Sequence, residues 1–172
     1  MKIFLTLFVL FFSPSLLAED ISDFEIEGIS IGDSLLDYLN EKEIKNNIIE
    51  IYGHLKNQDF TTVQLNNFNN SSQYDGLQVN IKRNDKNYIV YAIFGGVYYK
   101  KQDIKKCYNR MKQIDKDISN LFNNLEKVGP EKTTHRADPS GDSTYTGIYN
   151  SFPSGAYIGI ECYDWSNKIT KE

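Results

Sequence analysis

The chain has 172 residues, with 19 Lys and Arg against 23 Asp and Glu for a net charge of −4; 40% of it is hydrophobic and 13% aromatic. That acidic balance excludes bulk nucleic-acid binding, which needs surplus Lys and Arg to neutralise phosphates. The apolar content excludes a disordered polymer.

The first element is an address. Lys2 precedes the apolar run Ile3 to Phe12, broken only by Thr6, and Ser13-Pro14-Ser15 and Leu16-Leu17-Ala18 follow before the acidic Glu19-Asp20. These are the parts of a secretory signal peptide, and the run falls short of the roughly 20 apolar residues that span a bilayer. The expectation is a protein that is not membrane-spanning: residues 1–18 act as the signal peptide, cleavage follows Ala18, and the product is periplasmic or secreted. Residues 19–172 are then a single α+β domain, a usual size for one core.

Next, Ile21 to Ile31 reads as an acidic extended segment with Phe24, Ile26, Ile29 and Ile31 turned inward. Ser34 with Asp37 three residues on predicts a capping box opening a short helix through Leu35, Leu36 and Leu39. Asn40 with Glu43 predicts a second short helix, carried by Ile44, Ile48, Ile51 and Leu55 at spacings of three and four, with Gly53 as its breaker. Phe60 to Leu65 is a strand and Asn66 to Gln73 a polar loop. Leu77, Val79 and Ile81 alternate with Gln78, Asn80 and Lys82 as a half-buried strand. Asn84 to Asn87 supplies a turn, Tyr88 to Phe94 returns, and Gly95-Gly96 marks a bulge or bend.

The strongest periodicity predicts a helix from Gln102 to Val128. Ile104, Cys107, Met111, Ile114, Ile118, Leu121, Leu125 and Val128 form its apolar stripe, and Gly129-Pro130 ends it. A polar loop from Glu131 to Asp142 then leads to two last strands, Thr144 to Tyr149 and Ala156 to Tyr163, joined through Pro153-Ser154-Gly155. The expected fold is α+β: a mainly antiparallel sheet with one long helix and two short N-terminal helices packed on one face.

The two cysteines, Cys107 and Cys162, both fall on apolar faces. In an oxidising compartment an even pair predicts a disulfide.

Neither His54 nor His135 sits in a zinc-ligand spacing, and no catalytic motif, metal or cofactor is read from the chain. Thr133 to Ser143 concentrates His135, Arg136, Asp138, Asp142 and several hydroxyls. As a binding or hydrolytic site it would use His135, Asp138 and Asp142 with Ser140 or Ser143; as a plain connector, Asp138-Pro139-Ser140-Gly141 is a turn. The charges also segregate. Ten acids from Glu19 to Glu50 face only Lys42 and Lys45, whereas seven bases from Lys100 to Lys116 face only Asp103 and Asp115. Lys101, Lys105, Lys112 and Lys116 line one face of the predicted helix. They form either a docking strip for an anionic partner or envelope surface, or a solvated helix back neutralised by acids such as Asp33, Asp37, Glu41 and Glu43.

The segments Phe24 to Tyr38, Gly95-Gly96, Asp138 to Ser143 and Glu161-Cys162-Tyr163-Asp164-Trp165 together resemble a group of small exported proteins of AT-rich marine bacteria. The resemblance implies an exported single domain and carries no activity, ligand or catalytic residue. The expected role is a non-catalytic binding or envelope-associated domain, with a small hydrolase built on the 133–143 loop as the alternative.

Overall fold

The computed structural model describes residues 20–49, 59–65, 68, 73–100 and 103–170. The leader, His54, Lys101 and the continuation of the second helix through Ile51 and Leu55 lie outside the described residues.

Asp20 caps a single 3-10 turn, Ile21–Asp23, by accepting from Ser22 N–H. Strands β1 (Glu25–Ile26) and β2 (Ile29–Ser30) then form a hairpin. Its two turn residues, Glu27 (φ 55) and Gly28 (φ 80), are both left-handed, the geometry that matches the twist of paired strands. A 3-10 turn at Leu35–Asp37 and helix α1 (Glu41–Asn46) follow. Asn40 and Glu43 make the expected capping box on α1. Ser34 instead accepts from Leu36 N–H and donates to Asn87 O, so no box closes there and no α-helix nucleates.

Strands β3 (Ile48–Ile49), β4 (Phe60–Leu65), β5 (Gly76–Lys82) and β6 (Val90–Gly96) form an antiparallel sheet in chain order. Its inner face buries Val63, Leu65, Leu77, Val79, Ile81 and Val90 against Ile29, Leu35 and Ile44. The outer face is mixed: Thr62 donates to Asn80 Oδ1 at 2.8 Å and Gln78 Nε2 to Gln64 Oε1 at 2.7 Å, while Phe60, packed on Tyr91, and Phe94 are exposed beside them. Helix α2 (Ile104–Leu121), strands β7 (Glu126–Thr134), β8 (Thr144–Ser151) and β9 (Tyr157–Asp164), and the short α3 (Asn167–Thr170) complete the chain. The last three strands make a separate antiparallel sheet, β7-β8-β9. Helix α2 covers one of its faces. Met111 packs with Ile148 and Cys162, and Ile118 and Phe122 with Phe152 and Ile158. Cys107 and Cys162 are disulfide-bonded with Cα atoms 5.9 Å apart.

The expected single sheet with its helices on one face is therefore incorrect. Three antiparallel sheets are present, of two, four and three strands. The two short N-terminal helices reduce to a 3-10 turn and six residues of α1, and Leu35 and Ile44 pack on the four-stranded sheet while α2 packs on the three-stranded one. Chain spacing misled because Ile48 continues the helical repeat of Ile44 yet pairs, with Ile49, as a strand against Val63 and Thr62.

The long helix also stops early. Phe122 is buried beside Phe152, with ring centroids 5.0 Å apart, and left-handed Asn124 (φ 61) turns the chain out of the helix. Leu121 and Val128, expected in the stripe, are exposed. Strand β7 takes Glu126 to Val128 of the expected helix and the first four residues, Glu131 to Thr134, of the expected polar loop. Gly129-Pro130 sits inside that strand, at a register shift between Val128 and Glu131, where an edge strand tolerates a residue without N–H. The bulge expected at Gly95-Gly96 falls instead opposite Asn80 and Ile81.

Replacing both cysteines (Cys107→Ala with Cys162→Ala) opens a 55-residue loop, whose closure entropy is worth about 4 kcal/mol. Because Met111 and Ile118 still pack on the sheet, the double variant is expected to remain helical while its urea midpoint falls. Loss of far-ultraviolet dichroism without denaturant would show that the packing does not suffice.

Candidate functional site

The 133–143 loop is built around one carboxylate. Asp138, 5% exposed, accepts on Oδ1 from Ser140 N–H (2.9 Å) and Ser140 Oγ–H (2.6 Å). Its Oδ2 accepts from Ser143 N–H (2.9 Å), Ser143 Oγ–H (2.6 Å) and Ser166 Oγ–H (2.9 Å). Ser143 Oγ in turn accepts from Ser166 N–H at 2.9 Å. A carboxylate offers about four lone-pair directions, so this one is saturated. The bonds, led by the Ser140 and Ser143 hydroxyls, hold its carboxyl far below the usual carboxylate range. A carboxylate that weakly basic does not activate the serines it holds. Asp142 is turned away, paired with Lys168 Nζ at 2.8 Å, which with Ser140 lowers its pKa. His135 does not join the serines, because its Nδ1 accepts from Ala137 N–H at 3.1 Å and its ring packs 4.4 Å from Trp165. Three of the proposed loop residues thus point three ways.

On α2, Lys105, Lys112 and Lys116 are exposed, opposite the buried Met111 and Ile118. Among the described residues none of the three forms an ion pair. Of the acids expected to neutralise them, three bond elsewhere: Asp33 accepts from Ser30 N–H, Glu41 pairs with Lys45 and Glu43 caps α1. Asp115 on α2 pairs with Lys127 on β7, and Asp103 with Lys106.

The least expected surface is the outer face of the β7-β8-β9 sheet. Directly paired residues share a face, and the register sets Tyr145 opposite Tyr163, Gly147 opposite Glu161, Tyr149 opposite Gly159 and Ser151 opposite Tyr157. On the β7 side the same face takes Glu126, Val128, Glu131 and Thr133. Beyond the end of β9, Trp165 stacks on Tyr163 at 5.7 Å and 7° between planes, and His135 lies 5.5 Å from Tyr163. Tyr149 lies across two glycines: a Cβ on Gly147 would meet its ring at 2.9 Å, and one on Gly159 at 3.3 Å. Only glycine lets that ring lie flat.

Glu161 stands between Tyr149 and Tyr163, and both phenol hydroxyls donate to its carboxylate. Burial, then the Glu161 carboxylate, raises both phenol pKa values well above the ordinary tyrosine value. These hydroxyls stay protonated and committed to Glu161, so what they present outward is acceptor oxygen. Tyr157 and Tyr163 remain 62% and 43% exposed.

These aromatic residues were absent from the sequence-based candidates, although a signal exists. Tyr145, Gly147 and Tyr149, and Tyr157, Gly159, Glu161 and Tyr163, fall on alternate positions of strands whose other positions are Ile148, Ile158, Ile160 and Cys162. Once the aliphatic face is assigned inward, the rings must face out. Among the described residues no three His, Cys, Asp or Glu side chains come together as a metal site, and no helix is long and apolar enough to cross a membrane. The recess lined by Glu27, Leu65, Phe68 and Tyr74 has about 50 Å³ of room, too little for an organic ligand. Comparison with known proteins finds no matching family model, no similar curated protein and no similar solved structure.

The Asp138 knot makes a pH prediction. Its folded-state pKa is depressed, so its contribution to stability is complete at neutral pH, and is lost as pH falls below the unfolded value of about 3.9 towards the folded one. Asp138→Asn is expected to lower the melting temperature at pH 7 and to flatten its decline between about pH 4 and pH 2 relative to the parent. Equal acid slopes in calorimetry would place the charge outside the knot.

Proposed function

We propose that this chain is an exported, non-catalytic binding domain that meets its ligand on the outer face of the β7-β8-β9 sheet. One observation carries the reading: two groups of rings, Trp165, Tyr163 and Tyr145 in one and Tyr149 and Tyr157 in the other, stand on the outer face of one sheet with Glu161 between them. Single exposed aromatic residues are ordinary, but five rings on one sheet face support an interaction surface. A regular sheet also holds such rings in place before the ligand arrives, which limits the ordering cost of binding. The Cys107–Cys162 disulfide suits an oxidising compartment and supports a periplasmic or secreted location. The hydrolase alternative draws no support from the loop, where the serine hydroxyls donate to a saturated carboxylate and His135 lies apart.

Arrays of defined peptides and glycans test this reading. At least one ligand class should be retained by the protein and lost on Tyr157→Ser with an unchanged melting temperature. Hydrolysis of chromogenic esters that disappears in Ser143→Ala would overturn it in favour of an enzyme.

A second reading concerns the helix side. Among the described residues Lys105, Lys112 and Lys116 form no ion pair with the acids of the N-terminal segment, which supports docking of that face to an anionic partner or envelope surface. Co-sedimentation with vesicles rich in anionic lipid should then fall steeply with salt, since exposed charges are screened over about 8 Å at physiological ionic strength. Lys105→Glu with Lys112→Glu should abolish it and leave the melting temperature nearly unchanged. Salt-independent binding, or no loss in the variant, would remove this reading.

A further inference from the structure

The sheet face has a sign as well as a shape. Its outward positions carry Glu126, Glu131 and Glu161, all exposed, and the register places no Lys or Arg among them. Ring faces carry the negative end of the aromatic quadrupole, so tyrosine and tryptophan add to the attraction for a cation. The central group is prepared for one. Each oxygen of Glu161 already accepts one phenol hydroxyl, which fixes the carboxylate between two rings. Its remaining lone pairs are left to accept from a ligand. The face thus offers carboxylates and π-surface, which favour a ligand that brings donors and positive charge.

Shape narrows the ligand further. The patch is a strip along β8 and β9, not an enclosed cage. Outward side chains on one strand repeat every two residues, about 6.8 Å. A partner segment in extended conformation repeats its side chains at the same interval. Guanidinium meets both halves of the chemistry, stacking on aromatic faces and forking onto a carboxylate, which ammonium does less well.

We propose that the outer face of the β7-β8-β9 sheet binds an extended, arginine-bearing segment of a partner protein, with one guanidinium on Glu161 between Tyr149 and Tyr163 and further arginines, two repeats away on either side, over Tyr157 and Trp165. The proposal rests on the sheet-face reading of the domain and adds its ligand class. The rival occupant is a glycan, which also stacks on rings. A neutral sugar gains nothing from the charge of Glu126, Glu131 and Glu161, however, and the two phenol donors beside Glu161 are already spent.

Trp165 is the only tryptophan in the chain, so its emission reports occupancy directly. The disulfide-bonded protein is titrated with three probes: the peptide Ac-(Arg-Thr)5-amide, its counterpart Ac-(Glu-Thr)5-amide, and cellohexaose. The arginine peptide is expected to quench or shift Trp165 emission, with an affinity that falls as salt rises, while the other two leave it unchanged. Glu161→Gln and, separately, Tyr157→Ala should each weaken the peptide by about tenfold or more, the loss seen when a charge-paired or stacked anchor is removed. If Glu161→Gln fails to fold, Glu126→Gln with Glu131→Gln removes rim charge at exposed positions and should weaken binding by a few-fold.

Emission that responds to cellohexaose and not to the arginine peptide would overturn the ligand class and leave the sheet face as a binding surface. Silence towards every probe would overturn the arginine proposal, and the arrays then decide whether the face binds anything. Peptide binding that falls with Glu161→Gln but ignores Tyr157→Ala would reduce the effect to general charge attraction and overturn the proposal. Binding indifferent to both variants would place the peptide elsewhere, on the acidic N-terminal segment, and overturn it as well.

Discussion

The three-stranded sheet depends on one contact, the seating of α2 on the inner face of β8 and β9. Met111 and Ile118 are nearly inaccessible there, as are Ile148 and Cys162, and the disulfide pins the first turns of the helix to the last strand. Burying side chains of this size contributes about 1.5–3 kcal/mol each. A slip of one residue in β9 would turn Ile158 and Cys162 to water and bring Tyr157, Glu161 and Tyr163 under the helix. The penalty for burying Glu161 without a partner excludes that register. The aromatic face is therefore a consequence of the aliphatic one.

Local order was legible where one signal acted alone. Alternation in Leu77, Val79 and Ile81 marks β5, the Asn40–Glu43 box marks α1, and the apolar placement of Cys107 and Cys162 marks their bridge. The signal failed where two tendencies overlapped. Ile44, Ile48 and Ile51 keep a helical spacing, but Asn47 ends α1 and Ile48 enters a strand. Leu121, Leu125 and Val128 continue the stripe of α2 on paper, whereas the burial of Phe122 and the left-handed Asn124 redirect the chain. Whether elements share one sheet or three is set by contacts distant in sequence, and residue spacing is silent on that.

The 133–143 loop shows why a concentration of polar residues is a poor guide to chemistry. A connection between two strands must satisfy its own backbone donors, and Asp138 does so by collecting amides and hydroxyls from Ser140, Ser143 and Ser166. The bond to Ser166 also anchors the segment that follows β9, where Trp165 stands. The loop thus acts on the sheet face indirectly, by holding the tryptophan beside Tyr163. His135 belongs to that same group of rings, so the loop's one imidazole serves the aromatic cluster and not the serines.

The N-terminal hairpin explains how the charges come to be separated. Ile26 and Ile29 pack on the four-stranded sheet, while Ile21, Phe24 and Ile31 pack with Phe122, Phe152 and Ile158 beside α2. One short segment serves two cores, and its acids are fixed to their own neighbourhood: Asp33 binds the Ser30 amide and the Tyr38 hydroxyl, and Asp20 and Asp23 close their own capping box. Bonded there, these three carboxylates do not pair with the lysines of α2. Helix and sheet then present opposite signs, Lys105, Lys112 and Lys116 on one side and Glu126, Glu131 and Glu161 on the other. The sheet lies between them, so the two sets are kept apart by at least the roughly 10 Å of one packed layer. At that distance screening leaves each face to act on its own partner.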